Sequence, residues 1–385
     1  MAGPQWGQLA FSREGGKTVA ARVFATIPLK FMVPTKVATA SVDAVWVYML
    51  QYGGGIVAGD VIAFRVDVGA ACTAVLTTQA SSKVYHSNGG RTSQQIMEVT
   101  LAPGSLFALL PDPVTPFARS QYVQKQTFHL EKDASLVLVD WMTSGRRQRD
   151  EVWGFSTFET ANRIYRDGKP VLLDKLRLEN GRGLSVKNRM AGAHVLGMML
   201  LIGPRVKETI RRLEHQLPVR MVALQKSRAL AAARAAHSGM VGASGLTSGT
   251  SGKALPSSGG TEQPSGGNNG ASGGQDGASS ERDRPSSGKI GVSGGTEGPS
   301  GGTNGSFVNS SRASGGTNGP VGSRPKAEAA DASVQGLLSL SFSKVAGGEA
   351  LVVRFVAGST DAAYAFLRDQ LEPLTAQLGS RPYPG

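Results

Sequence analysis

The sequence predicts a mainly β fold with a few late helices and one long disordered insert. Three observations predict it. Between Lys17 and Val139, β-branched or alternating runs follow one another, broken by Gly, Pro, Asn and Asp, with no helical period between them. Helical spacing of apolar residues appears only after Pro204 and again near the C-terminus. From His237 to Ala330 the text collapses into Gly, Ser, Thr, Asn and Pro, with 25 of the 51 glycines and Phe307 as the one aromatic residue.

Taken in order, the strand runs are "TVAARVFATIPL", "AVWVYML", "VIAFRVDVG", "ACTAVLTTQ", "QQIMEVTLAPG", "SLFALLP" and "QKQTFHLEKDASLVLVDW". A "GRRQRDEVW" turn leads to "GFSTFETANRIY" and "KPVLLDKLRLE", which Asp167-Gly168 separates as a hairpin signal. Without helices to make parallel βαβ crossovers, this half should be sheets wound on one another. Pro204 opens "PRVKETIRRLEHQL", where Val206, Ile210, Leu213 and Leu217 recur at helical spacing, and "KSRALAAARAA" is a second helical run. Beyond the insert, "LLSLSFSK" and "ALVVRFVAG" read as strands. Ser359 then caps "TDAAYAFLRDQLEPLTAQLG", which Pro373 should kink or shorten.

The expected organisation is one β-rich domain in two parts, 1–236 and 331–385, around an insert at 237–330. "SGGT" recurs in that insert at 258–261, 293–296, 300–303 and 314–317. Such a composition cannot bury enough apolar surface to offset its ordering entropy. Closing a long loop costs only about 0.6 kcal/mol per doubling of length, so a surface connection tolerates it.

The net charge is +13, and the insert contributes only one unit of it, with seven Lys/Arg against six Asp/Glu. A basic balance raises nucleic acid, anionic membrane or an acidic protein as partners. The cations are scattered, with no basic block and no aromatic-interleaved RNA-binding strand, so neither nucleic acid nor membrane is expected. Cys72 is the single cysteine, which excludes an intramolecular disulfide and suits a reducing compartment. The longest apolar run, "VLGMMLLIG" at 195–203, is too short for a membrane helix, and the N-terminus lacks a signal-peptide pattern. A soluble, cytoplasmic protein is expected.

Two glycine-rich stretches invite a phosphate-binding reading. In "YGGGIVAGD", Tyr52 to Asp60, the following text "VIAFRVDV" is a strand, whereas a dinucleotide loop must open a helix. The glycines should instead permit positive φ or close backbone approach. In "FSREGGKT", Phe11 stands where a P-loop needs glycine, and a strand follows Thr18. No nucleotide hydrolysis is expected. There is no G-x-S-x-G elbow, Cys72 reads as a buried inert thiol, and His86, His129, His194, His215 and His237 form no metal-binding spacing.

Several polar residues interrupt apolar text: Asp60 after the glycines, Ser82 and Lys83 within "LTTQASSKVY", Asp140 ending "LVLVD", and Asp174 within "PVLLDKL". They could sit at strand ends and hydrogen-bond to turns. Alternatively, several could face a shared water-filled interior, where spaced carboxylates would bind a cation weakly and in series.

A set of motifs in order, "GGKT", "PLK", "VWVYMLQYGGGIVAGD", "LTTQASSKVYHS", "LLPDPVTPF", "LVLVDWMTSGR", "EVW", "LLDKLRLE" and "FLRDQLEPLTAQLGSRPY", resembles the urease accessory protein D family, also called UreH. "PDPVTPF" and "VDWMTSGR" look closest to its plant and green-algal branch. The resemblance implies a non-catalytic scaffold of helically wound β-strands with a few helices. It implies docking on urease apoprotein and on accessory protein F, which recruits accessory protein G, a nickel-carrying GTPase. It further implies no tightly bound cofactor, but nickel(II) in transit through an internal passage, at positions matching Asp60, Ser82, Asp140 and Asp174. There are departures. Asp150-Glu151 replaces the family's Gly-Glu pair, Asp174 stands where Glu is frequent, and the glycine-serine insert matches nothing in the family pattern. Two other classes fit parts of the text. One is a β-rich hydrolase using a carboxylate pair such as Asp140 and Glu151, which needs about 5–9 Å between them in an open cleft. The other is a basic RNA-binding module.

Overall fold

A computed structural model describes residues 7–34, 42–87, 89–181, 183–243 and 336–383. The elements below belong to one compact unit, residues 1–242 and 324–385; a second unit, 243–323, lies outside the described residues save Ala243, which ends a helix. The expected disordered insert at 237–330 therefore also lies outside them, apart from its first seven residues.

In chain order the first fourteen strands are β1 Gly7–Glu14, β2 Lys17–Ala25, β3 Leu29–Met32, β4 Val45–Gln51, β5 Val61–Val68, β6 Thr73–Thr78, β7 Ser82–Val84, β8 Ser93–Leu101, β9 Leu106–Leu110, β10 Val114–Pro116, β11 Gln121–Leu130, β12 Ser135–Thr143, β13 Thr157–Arg166 and β14 Lys169–Glu179. The chain coils, laying one strand alternately on each of two sheets. In the first sheet β1, β5, β8, β11 and β13 run parallel. In the second, β4, β6, β9 and β12 do the same. Parallel pairing without crossover helices is what winding supplies, because each full coil returns the chain in the same direction one strand further on. Antiparallel strands close the ends: β2 on β1, β3 on β4 and β14 on β13.

The remaining elements are α1 Val186–Arg189, β15 Val195–Ile202, α2 Lys207–Ala243, β16 Leu337–Val345, β17 Ala350–Ala357, α3 Thr360–Leu371 and α4 Thr375–Leu378. They extend the second sheet in the order β12-β15-β17-β16. Alternation along β12 divides its residues between two cores. Leu136, Leu138 and Met142 point into the inter-sheet core, whereas Val137, Val139 and Trp141 meet Ile210, Leu213 and Leu217 of α2 and Phe366 and Leu367 of α3. No helix among the described residues is long and apolar enough to cross a membrane.

Several elements differ from the sequence reading. "GQLAFSRE" is β1, a strand that precedes the first expected one, and "FSREGGKT" lies in the β1–β2 hairpin with Gly15 and Gly16 in its turn. The two helical runs after Pro204 form one helix, with Pro218 inside it. Pro373 acts as expected, since α3 ends at Leu371 and a 3-10 turn precedes α4. Ser359 caps α3, its hydroxyl accepting from Ala362 N at 3.2 Å. The Asp167-Gly168 hairpin forms, with both residues at positive φ.

Where the coil passes from the second sheet back to the first, its corners stack as a short third ladder. Ile56 bridges Val84, and β7 pairs with β10. The Tyr52–Asp60 glycines serve this corner. Gly53 has φ 78°, and a Cβ on Gly55 would lie 2.7 Å from the Lys83 carbonyl oxygen. That close approach lets Ile56 N donate to Lys83 O at 2.8 Å.

Candidate functional site

The period of two that builds the core also sends polar side chains into it. In β11, Gln124 and Gln126 share the inward phase of Tyr122, Phe128 and Leu130; in β13, Thr160 and Asn162 share that of Phe158 and Ile164. In β12, Asp140 falls in phase with Leu136, Leu138 and Met142. Register aligns these groups. Gln95, Gln124 and Thr160 stand side by side across the first sheet, as do Gln126, Asn162 and Asp174 one step along.

Asp140 is the hub. Its Oδ1 accepts from Gln124 Nε2 at 3.0 Å, and its Oδ2 accepts from Thr160 Oγ1 and Asn162 Nδ2, each at 2.7 Å. Burial pushes its carboxyl above the ordinary range, Asp174's charge adds to that, and the three hydrogen bonds oppose it. Asp140 and Trp141 line two cavities. The smaller, about 30 Å³, is also lined by Ser82, Gln95, Asp112, Gln124 and Gln126; it has room for a water molecule. The larger, about 260 Å³, is also lined by Thr160, Asp174, Met198 and Arg354. Two amide oxygens in this region, Gln95 Oε1 and Asn162 Oδ1, are buried without a hydrogen-bond partner.

Three of the four sequence-predicted positions line these cavities: Ser82 the smaller, Asp174 the larger and Asp140 both. Asp60 is not among their lining residues. Its Oδ2 accepts from Val57 N at 2.8 Å and closes the glycine turn, as a strand-end residue does. Sequence reasoning missed Gln95, Gln124, Gln126, Thr160, Asn162 and Arg354. The signal was available for the β11 and β13 residues, because each breaks an otherwise apolar inward phase.

The lining offers carboxylate, amide and hydroxyl oxygens, a donor set that suits a hydrated cation held weakly. Among the described residues no group of three His, Cys, Asp or Glu side chains is placed to hold a metal ion. The carboxylate pair weighed for hydrolysis is not assembled around a cleft. Glu151 accepts from Arg146 Nε at 2.8 Å, from Arg146 Nη2, and from Ala118 N at 3.1 Å. Its pairing with Arg146 holds its carboxyl below the ordinary value. Cys72 is buried, and burial raises its thiol pKa, which disfavours the nucleophilic thiolate.

Comparison with known proteins accords with the motifs. Residues 5–259 match the family model described as UreD urease accessory protein. The chain is 41% identical to urease accessory protein D of Arabidopsis thaliana over 212 residues, 55% of this chain and 72% of that protein. Against the protein of the same name from Oryza sativa subsp. indica it is 40% identical over 211 residues, covering 55% and 69% of the two chains. The bacterial urease accessory protein UreD of Sorangium cellulosum is 40% identical over 199 residues, 52% of this chain and 62% of that one.

Proposed function

This chain belongs to the UreD urease accessory protein family, and from that premise we propose that it is a non-catalytic, cytoplasmic scaffold for urease maturation. In this reading it docks on urease apoprotein, binds accessory protein F and through it the GTPase accessory protein G, and conducts nickel(II) toward the urease metal site. Nickel is cargo here, not a resident cofactor. One observation supports the conducting role above all: Asp140, in the inter-sheet core, lines both a cavity walled by Ser82 and a cavity walled by Asp174. A hydrolase would need its carboxylates around an open cleft; a conduit needs them spaced along an interior. An enclosed passage must offset part of a cation's lost hydration, and spaced carboxylates and amide oxygens do so without trapping it. Asp60, on the corner next to the one that carries Ser82, is included as a proposed outer step.

The test uses Asp140→Ala and Asp60→Ala, singly and together, with two readouts: co-purification of accessory protein F and urease with this chain, and the nickel content of the urease produced. Retained complexes with nickel content reduced several-fold are expected. Normal nickel loading in all three variants would sink the conducting role, and loss of co-purification would reassign the residues to folding or docking.

A further inference from the structure

The larger cavity ends at an ion pair that joins the two sheets. Asp174 comes from β14, at the edge of the first sheet, and Arg354 from β17 of the second; Arg354 Nη2 lies 2.5 Å from Asp174 Oδ1. Register explains why Arg354 reaches this point. Asp140 on β12 pairs with Met198 on β15, which pairs with Arg354 on β17, so the guanidinium sits two strands from the hub on the same row. The Arg354 side chain is 48% exposed and that of Asp174 only 18%, which puts the cation on the solvent side and the carboxylate on the cavity side.

Two features mark this pair as exchangeable. Arg354 makes a single hydrogen bond to Asp174, whereas Arg146 grips both carboxylate oxygens of Glu151. A half-exposed arginine on a flexible stem can also swing into water at little cost. A divalent ion docking on Asp174 would stand within a few ångströms of the guanidinium, so the two positive charges would repel and each would weaken the other's hold on the carboxylate. Further in, Gln95, 92% buried on the smaller cavity's lining, has an amide oxygen without a hydrogen-bond partner, and so has Asn162 beside Asp140.

Resting on the conducting role proposed above, we infer that Arg354 is the exchangeable counter-ion of the passage. It neutralises Asp174 when no metal is present, yields to a cation docking there, and returns to drive that cation on, so it limits how tightly the passage holds its cargo.

The experiment compares full-length wild type with Arg354→Gln, Arg354→Lys, Asp174→Asn and the R354Q/D174N double variant. Nickel(II) binding to the isolated protein is measured by titration calorimetry, and the nickel content of matured urease is followed over time. Removing a neighbouring positive charge should make R354Q bind nickel at least about tenfold tighter and deliver it more slowly. R354K, which keeps the charge, should stay within about twofold of wild type, and the double variant should lose the added affinity. Unchanged affinity and delivery in R354Q, alongside impaired delivery in D174N, would overturn the counter-ion role while leaving the passage intact. Normal delivery by R354Q, D174N and Asp140→Ala together would remove the passage itself. If R354Q does not fold, R354K delivering like wild type while folded D174N delivers poorly supports the role, and normal delivery by D174N overturns it.

Discussion

Asp140 and Glu151 are both partly enclosed carboxylates with several hydrogen bonds, yet their ionisation is biased in opposite directions. Glu151 faces the Arg146 guanidinium, which favours its charged form; Asp140 is buried among neutral donors and feels Asp174's negative charge. The consequences for stability have opposite signs. A depressed carboxyl contributes stability above its unfolded pKa of about 4.3, and that stability is lost as pH falls through its folded value. A raised carboxyl contributes fully below its unfolded pKa of about 3.9, and that contribution is lost as pH rises through its folded value. Thermal midpoints of Glu151→Gln and Asp140→Asn measured between pH 3 and 7 should separate the two. The deficit of Glu151→Gln should be full at neutral pH and shrink below about pH 4. Asp140→Asn should gain on the wild type as pH rises from about 4 toward 7. A pH-independent gap for Asp140→Asn would mean that its carboxyl titrates alike in the folded and unfolded states.

Among the elements, the corner ladder links the glycine turn to the cavity. Ile56 N donates to Lys83 O, and Tyr85 N donates to Ile56 O at 2.9 Å, so the turn sets the position of β7 and hence of Ser82 on the cavity wall. Gly55 makes that contact possible. A Cβ there would lie 2.7 Å from Lys83 O and 2.8 Å from Tyr85 Cε2, and backbone cannot yield as a flexible side chain does. Gly55→Val should therefore cost about 1–3 kcal/mol, a fall in Tm of roughly 3–10 °C. It should also lower nickel delivery more than a remote variant of equal Tm, because Ser82 moves with the corner. A Tm within about 1 °C of wild type would show that the corner has slack.

For the molecule as a whole, two cores share the second sheet, one against the first sheet and one against α2 and α3. Both draw on residues on either side of 244–328, a stretch whose composition offers few apolar side chains for either core. Deleting 244–328 should shift Tm by no more than about 2 °C and leave urease activation near the wild-type yield. A collapse of either quantity would make that stretch structural or a docking element. Much of this architecture was legible in the chain, because strand and turn signals are local. Alternation, the Asp167-Gly168 hairpin, the Ser359 cap and the break at Pro373 depend on a few neighbouring residues, and the strands following "YGGGIVAGD" and "FSREGGKT" excluded phosphate loops. The motifs named the family as well. The chain by itself could not decide which inward polar residues would meet. Gln124, Thr160 and Asn162 surround Asp140 only because winding sets β11 beside β13 and lays both across from β12. Asp60 and Asp174 read alike in the text, yet one caps its own turn while the other meets an arginine 180 residues away. The difference is one of sequence separation: a turn is closed by its neighbours, whereas a cavity is lined by residues that only the completed coil brings together.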